Sequence, residues 1–182
     1  MDRAARNRGF NLAELLVVIS IISMISLVAT SSLSGNNSHK LNLAADEVAT
    51  AIRFARSEAM RTGHAHGIKA SAGVQQFQLY WLDTSGFPTQ VYDVRHPADK
   101  KLYALHFGNG PGLQDIDLAS VYIKFENIFL PVEFLGFDAS GRPKYDTGWS
   151  IHDLETATLT LSYQGELRTI HITPVSGRVR VQ

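Results

Sequence analysis

The chain contains no cysteine. Disulfides and thiolate metal sites are therefore excluded, and cysteine usage gives no reading of the redox compartment. Net charge is missing too, because 17 Lys and Arg balance 17 Asp and Glu. A balanced total leaves no general nucleic-acid footprint, although it leaves room for a local basic patch. There is no internal repeat and no low-complexity tract. At 182 residues, 45% hydrophobic and 19% charged, the chain is neither disordered nor wholly membrane-embedded. Its length suits one globular domain plus an accessory element. The most informative scarcity is local: between Gly9 and His39 the only formal charge is Glu14.

What fills that stretch is apolar. Residues 15–29 read LLVVISIISMISLVA, and the 20 residues from Phe10 to Ala29 would span about 30 Å as a helix, enough for a bilayer core. Arg3, Arg6 and Arg8 precede the run, which orients the N-terminus to the cytoplasm and the body outside. With residues 1–9 removed, 14 basic and 16 acidic residues remain, a mildly acidic body. A cleaved secretory signal peptide is the plainest reading of such a run, with Val28 and Ala29 as a weak cleavage site. Glu14 argues against it. A lone carboxylate in hydrocarbon costs about 2.5–3.5 kcal/mol on insertion scales, so it requires a partner. Ser20, Ser23 and Ser26 recur on one helix face. They either pack against neighbouring helices or bond their own backbone four residues back, the second being the simpler. The segment Ser31 to Asn37 has no proline, but Gly35-Asn36-Asn37 is a weak helix stretch where a kink or break is expected.

The segment Arg8-Gly9-Phe10-Asn11-Leu12-Ala13-Glu14-Leu15-Leu16 resembles the processing site of type IV prepilins and type II secretion pseudopilins. The resemblance implies cleavage by a prepilin peptidase between Gly9 and Phe10, with Phe10 becoming the N-methylated first residue. It implies that Glu14 pairs with the amino terminus of a neighbouring subunit during assembly, which supplies the partner that the electrostatics demand. It also implies association with other pilins or pseudopilins and with an inner-membrane assembly platform.

Beyond Lys40, Leu41 to Arg61 reads as an amphipathic helix with Leu41, Ala44, Val48, Ile52, Ala55 and Ala59 on one face. Gly63 is its expected C-cap. The pattern then changes to period two. Strands are expected around His64–Lys69, Gln76–Leu82, Val121–Phe125, Val132–Leu135, Ala157–Tyr163, Leu167–Thr173 and Arg178–Val181, with a hairpin turn at Gln164-Gly165. Residues 83–120, rich in Gly, Pro, Asp and Asn, read as a long loop region. The expected fold is α+β: a long N-terminal helix packed on antiparallel β-sheet. The division is a leader at 1–9, a transmembrane and assembly helix at 10–30, an amphipathic spine helix at 31–63 and a periplasmic β-rich domain at 64–182.

Three further segments narrow the resemblance. Phe54 to Gly63 (FARSEAMRTG), Phe137 to Pro143 (FDASGRP) and Ile172 to Arg180 (ITPVSGRVR) are similar to the helix end, mid-domain turn and C-terminal strand of FimT/GspH-type minor pilins and pseudopilins. This implies a minor pseudopilin of type H in a type II secretion pseudopilus, held in the inner membrane. The alternative is a FimT-like minor pilin that binds DNA during uptake. For the second, Arg178 and Arg180 share one face of a strand and would hold phosphate; the simpler reading is an edge strand guarded by charge.

No enzyme and no cofactor are expected. His64 and His66 form an HxH pair without a third metal ligand, and exposed strand histidines are the simpler reading. Ser57 and Glu58 lack a His relay. Gly108-Asn109-Gly110-Pro111-Gly112 lacks the strand-to-helix setting of a phosphate loop. Asp138 and Asp153 have no calcium-loop spacing.

Overall fold

The structure is a computed structural model that describes residues 12–83, 90–146 and 150–182, without side chains for 25–37. The chain divides into two compact units, 1–38 and 39–182. One helix, α1 (Leu12–Thr62), contributes to both. It runs through Gly35-Asn36-Asn37 without the expected break. Glycine costs only about 1 kcal/mol in a helix interior, and propagation from helix already formed offsets that.

In the first unit, the side chains of α1 from Leu12 to Met24 are exposed, among them Leu12 (76%), Leu16 (57%) and Ile22 (58%). Ser20 Oγ donates to the Leu16 carbonyl at 2.8 Å and Ser23 Oγ to that of Ile19 at 2.8 Å, so these two serines bond their own backbone. The expected membrane span at 10–30 lies partly outside the described residues. Among those described, no helix is long and apolar enough to cross a membrane.

The second unit carries the core. Leu41, Ala44, Val48, Ile52, Ala55 and Ala59, the expected apolar face, are all buried. The helix ends where Gly63 adopts φ +75° and its N–H bonds the Ala59 carbonyl at 3.0 Å. Among the described residues, ten antiparallel strands follow: β1 (His66–Ser71), β2 (Gln76–Asp83), β3 (Gln90–Asp93), β4 (Ala104–His106), β5 (Asp117–Phe125), β6 (Phe134–Phe137), β7 (Pro143–Asp146), β8 (Ile151–Tyr163), β9 (Glu166–Ile172) and β10 (Val179–Val181). They pair in the order β10-β9-β8-β7-β6-β1-β2-β3, with β4 beside β2 and β5 beside β8. Inward residues alternate along the longer strands, as a half-buried sheet requires: Phe77 and Leu79 on β2, Leu159 and Leu161 on β8, Ile170 and Ile172 on β9.

Two bulges alter that alternation. Leu118 pairs with Leu161 but Ser120 with Thr160, so Ala119 is an extra residue in β5. Lys124 pairs with Thr156 but Phe125 with Leu154, which makes Glu155 extra in β8. Each bulge shifts the parity, so Leu118 and Leu154 point inward with the residues of opposite parity beyond them. The Gln75 side chain serves the first bulge: its Oε1 accepts from the Leu118 N–H at 2.8 Å and its Nε2 donates to the Leu118 carbonyl at 3.2 Å.

The span 83–120 corrects the expectation of a long loop region. It contains β3 and β4, and it sends Tyr103, Leu105, Phe107, Leu113, Ile116 and Leu118 into the core. Gly, Pro and Asp there punctuate short ordered segments rather than marking one open loop. Residues 84–89 lie outside the described residues.

Candidate functional site

Glu14 sits in the first described turn of α1. Its neighbours Leu12, Leu15, Leu16, Val17 and Val18 are all exposed hydrophobics. Gly9 and Phe10, the expected processing site, lie outside the described residues.

Three motif segments meet in the second unit around one arginine. Arg56, half-buried on α1, donates from Nε to the Gly141 carbonyl at 2.9 Å. Gly141 has φ +76°, and a Cβ on it would stand 2.8 Å from Met60 Sδ. Gly177 has φ +61°, and a Cβ there would stand 2.8 Å from the Gly141 oxygen, 3.1 Å from Phe137 Cε1 and 3.2 Å from Arg56 Nε. Both positions call for glycine by backbone conformation, and Gly177 also by its close approach to the backbone of Gly141, whereas the atoms nearest Gly141 are ends of flexible side chains. The turn holding Gly141 is closed by Asp138. Its Oδ1 accepts from Ser140 N–H at 2.9 Å, Ser140 Oγ at 2.7 Å and Arg142 N–H at 2.9 Å. Desolvation pushes the Asp138 carboxyl up, but these hydrogen bonds and nearby Lys144 outweigh it and hold its pKa below the ordinary aspartate value. The shared segments thus form a structural joint between helix, turn and C-terminal strand.

Arg178 and Arg180 are exposed, and neither is in an ion pair among the described residues. Arg180 lies opposite His171 on β9, while Val179 and Val181 lie opposite Ile172 and Ile170 and pack on the core. The outer edge of β10 is capped from α1, where Arg53 Nη2 donates to the Val179 carbonyl at 3.3 Å. The edge thus carries the positive charge that discourages pairing with another strand.

The HxH pair departs from expectation. His64 precedes β1 and is exposed, whereas His66 is buried, 7% exposed. Trp81 covers both: its ring centroid lies 5.8 Å from His64 and 6.4 Å from His66, and it stacks on Tyr92 at 4.6 Å. The inward parity that His66 shares with Ile68 and Ala70 explains the burial. Among the described residues, no group of three His, Cys, Asp or Glu side chains is placed to hold a metal.

A long N-terminal helix whose C-terminal half packs on antiparallel sheet defines a pilin-like α+β protein. Residues 44–181 match the family model for GspH, "Type II transport protein GspH". The chain belongs to this GspH family, whose members are pilin-like minor pseudopilins. Among solved structures, it is similar to the minor pseudopilin EpsH from the type 2 secretion system of Vibrio cholerae. That similarity is 14% identity over 79% of this chain and 96% of the other, with a TM-score of 0.49. It is also similar to the type IV minor pilin FimU of Pseudomonas aeruginosa, at 18% identity over 80% of this chain and 90% of the other, with a TM-score of 0.46. No curated protein matches the chain.

Proposed function

We propose that the chain is a type H minor pseudopilin, a subunit of the periplasmic pseudopilus that drives type II protein export. The observation that supports it most is the pairing of a GspH-family body with an exposed apolar helix whose single charge is Glu14. An apolar surface of this kind needs cover. The inner membrane covers it before assembly and neighbouring helices cover it afterwards, with Glu14 meeting a neighbour's amino terminus. In this reading the N-terminus is cytoplasmic, the β-rich body periplasmic, and the prepilin peptidase and assembly platform are partners. The family match does not favour the DNA-uptake alternative.

The test uses the absence of native cysteine. Leu16→Cys in the full chain should crosslink to other pseudopilins in cell membranes. Adding Glu14→Ala should leave the protein in the membrane fraction and reduce crosslinking about tenfold or more, as expected if a charge pair in hydrocarbon drives incorporation. Undiminished crosslinking would contradict the role given to Glu14, and no crosslinking in either protein would contradict the subunit reading.

A further inference from the structure

The strand order ends on two edges, β10 and β3, and they are treated differently. The β10 edge carries Arg178 and Arg180 and is capped by Arg53. Strand β3 reads Gln90-Val91-Tyr92-Asp93, without lysine, arginine or proline, and all four residues are exposed. Native sheets blunt an exposed edge with such residues, because its free N–H and C=O groups pair readily with another strand. An edge left unblunted is fit for pairing.

The ladder shows which groups are free. The Val94 N–H donates to the Leu79 carbonyl at 3.3 Å, whereas the Leu82 N–H turns the other way, to the Ala65 carbonyl at 2.8 Å. With Tyr92 opposite Trp81, the backbone groups of Gln90, Tyr92 and Val94 point at β2, and those of Val91 and Asp93 point outward. Among the described residues, no hydrogen bond takes up the backbone of Val91 or Asp93. Tyr92 thus holds the non-hydrogen-bonded position of the outer edge, where the side chain of an added strand comes closest, about 4.5 Å between Cα atoms. Its ring also ends a row. His66, Trp81 and Tyr92 are cross-strand partners on β1, β2 and β3, with successive ring centroids 6.4 Å and 4.6 Å apart. On the other face Val91 is exposed, and Asp93 accepts from Gln78 Nε2 at 2.6 Å. Asp93 is in no ion pair among the described residues.

We propose that β3 takes up, antiparallel, an extended segment of another protein that reads basic, aromatic, apolar at three consecutive positions. The basic side chain lies opposite Asp93, the aromatic ring extends the row beyond Tyr92, and the apolar side chain covers Val91. Main-chain hydrogen bonds give such an added strand its affinity, and these cross-strand pairs give it selectivity. A second copy does not supply the segment: no described strand of this chain reads Lys or Arg, then an aromatic, then an apolar residue. A copy of β3 centred on Tyr92 would set two Asp93 carboxylates on one face without a cation. This contact goes beyond the subunit reading above and does not depend on it.

The test uses the full chain, extracted in detergent, and a capped peptide of threonines with lysine, tryptophan and valine, in that order, at its centre. Hydrogen exchange of a fragment covering residues 90–94 should show the amides of Val91 and Asp93 fast and those of Tyr92 and Val94 slow. Saturating peptide should slow the two fast amides about tenfold or more. Methylating the lysine and valine amides of the peptide, the two that face the edge, should abolish the slowing. Reversing its central order should weaken binding about three- to fivefold, the worth of an exposed cross-strand pair. Val91→Pro removes only an outward N–H, which an edge strand tolerates. It should lower peptide affinity about tenfold while exchange in β2 stays as in the wild type. If that variant loosens β2, the methylated peptide carries the test, because it leaves the protein untouched. Slow Val91 and Asp93 amides in the free chain would mean that the chain covers its own edge. Slowing that follows protein concentration alone would mean a second copy. Either result, no slowing by millimolar peptide, or equal slowing by the methylated peptide overturns the proposal, and equal binding of the reversed peptide overturns the stated order of side chains.

Discussion

Gly177→Ala tests whether the joint around Arg56 is a packing requirement or only a turn. Two terms oppose the substitution. A side chain at φ +61° costs about 1–2 kcal/mol in the left-handed region. The new methyl also stands 2.8 Å from the Gly141 oxygen, which is backbone held by Arg56 and cannot easily yield. Forced overpacking of this kind costs about 1–3 kcal/mol. The sum is about 2–5 kcal/mol. For a unit of about 140 residues, an unfolding entropy near 2.1 cal/mol/K per residue converts 1 kcal/mol into about 3 °C. The melting temperature should therefore fall by about 7–16 °C, followed by the near-ultraviolet circular dichroism signal. Gly165→Ala is the matched control. It has φ +85° in the β8-β9 hairpin but nothing within 4 Å of the new methyl. It should lose only the backbone term, about 3–6 °C. Equal losses for the two variants would refute the steric half of the reasoning, and no loss at Gly177 would refute both halves.

Two more predictions follow from the same surfaces. Asp138 is held below its ordinary pKa, so its contribution to stability is present above the unfolded value and lost as pH falls through the folded one. Asp138→Asn should thus destabilise the body by about 1–2 kcal/mol at neutral pH, and the gap to wild type should close as pH falls below about 3.8; a gap independent of pH in urea titrations would contradict this. Arg178→Ala with Arg180→Ala should leave DNA binding unchanged, because the wild-type chain is expected to show no salt-dependent shift of duplex DNA. A wild-type shift that weakens with salt, and weakens further in the double variant on every sequence alike, would favour phosphate binding by this edge.

Much of the architecture was legible because its signals are periodic. The face of α1 from Leu41 to Ala59 shows in the three-and-four spacing, and the alternation in Gln76–Leu82 and Ala157–Tyr163 shows both strands and their inward residues. The β8-β9 turn was readable from Gln164-Gly165, which indeed carry φ +48° and +85°. Strands β3 and β4 were missed because they lie in the Gly-, Pro- and Asp-rich span read as loop, and β7 because it opens on Pro143. Bulges at Ala119 and Glu155 also break the period, which hid the inward turn of Leu118 and Leu154. Within 83–120, glycines and prolines looked like open loop, yet Tyr103, Leu105 and Phe107 were the signal of an ordered, buried segment. His66 looked like an exposed partner of His64, and only the parity it shares with Ile68 marks it as inward.

The joint was the least legible part. Arg56, Gly141 and Gly177 lie in three separated segments whose resemblance to one family was visible without its physical cause. Only the fold shows that an arginine bonding a glycine carbonyl, beneath a second glycine, ties these segments together. Gln75 gave no sequence signal at all, since its role in pairing the backbone of Leu118 exists only once the bulge forms.

The mass of the mature protein tests the central claim most directly. The subunit reading requires cleavage between Gly9 and Phe10, methylation of the new amino terminus and retention of the apolar helix with Glu14. Intact mass spectrometry of the membrane-extracted chain should show a protein that begins at Phe10 and carries one added methyl group. A chain beginning near Ser31 would mean that the apolar run is a discarded signal peptide, and the account of Glu14 and of filament assembly would fall with it.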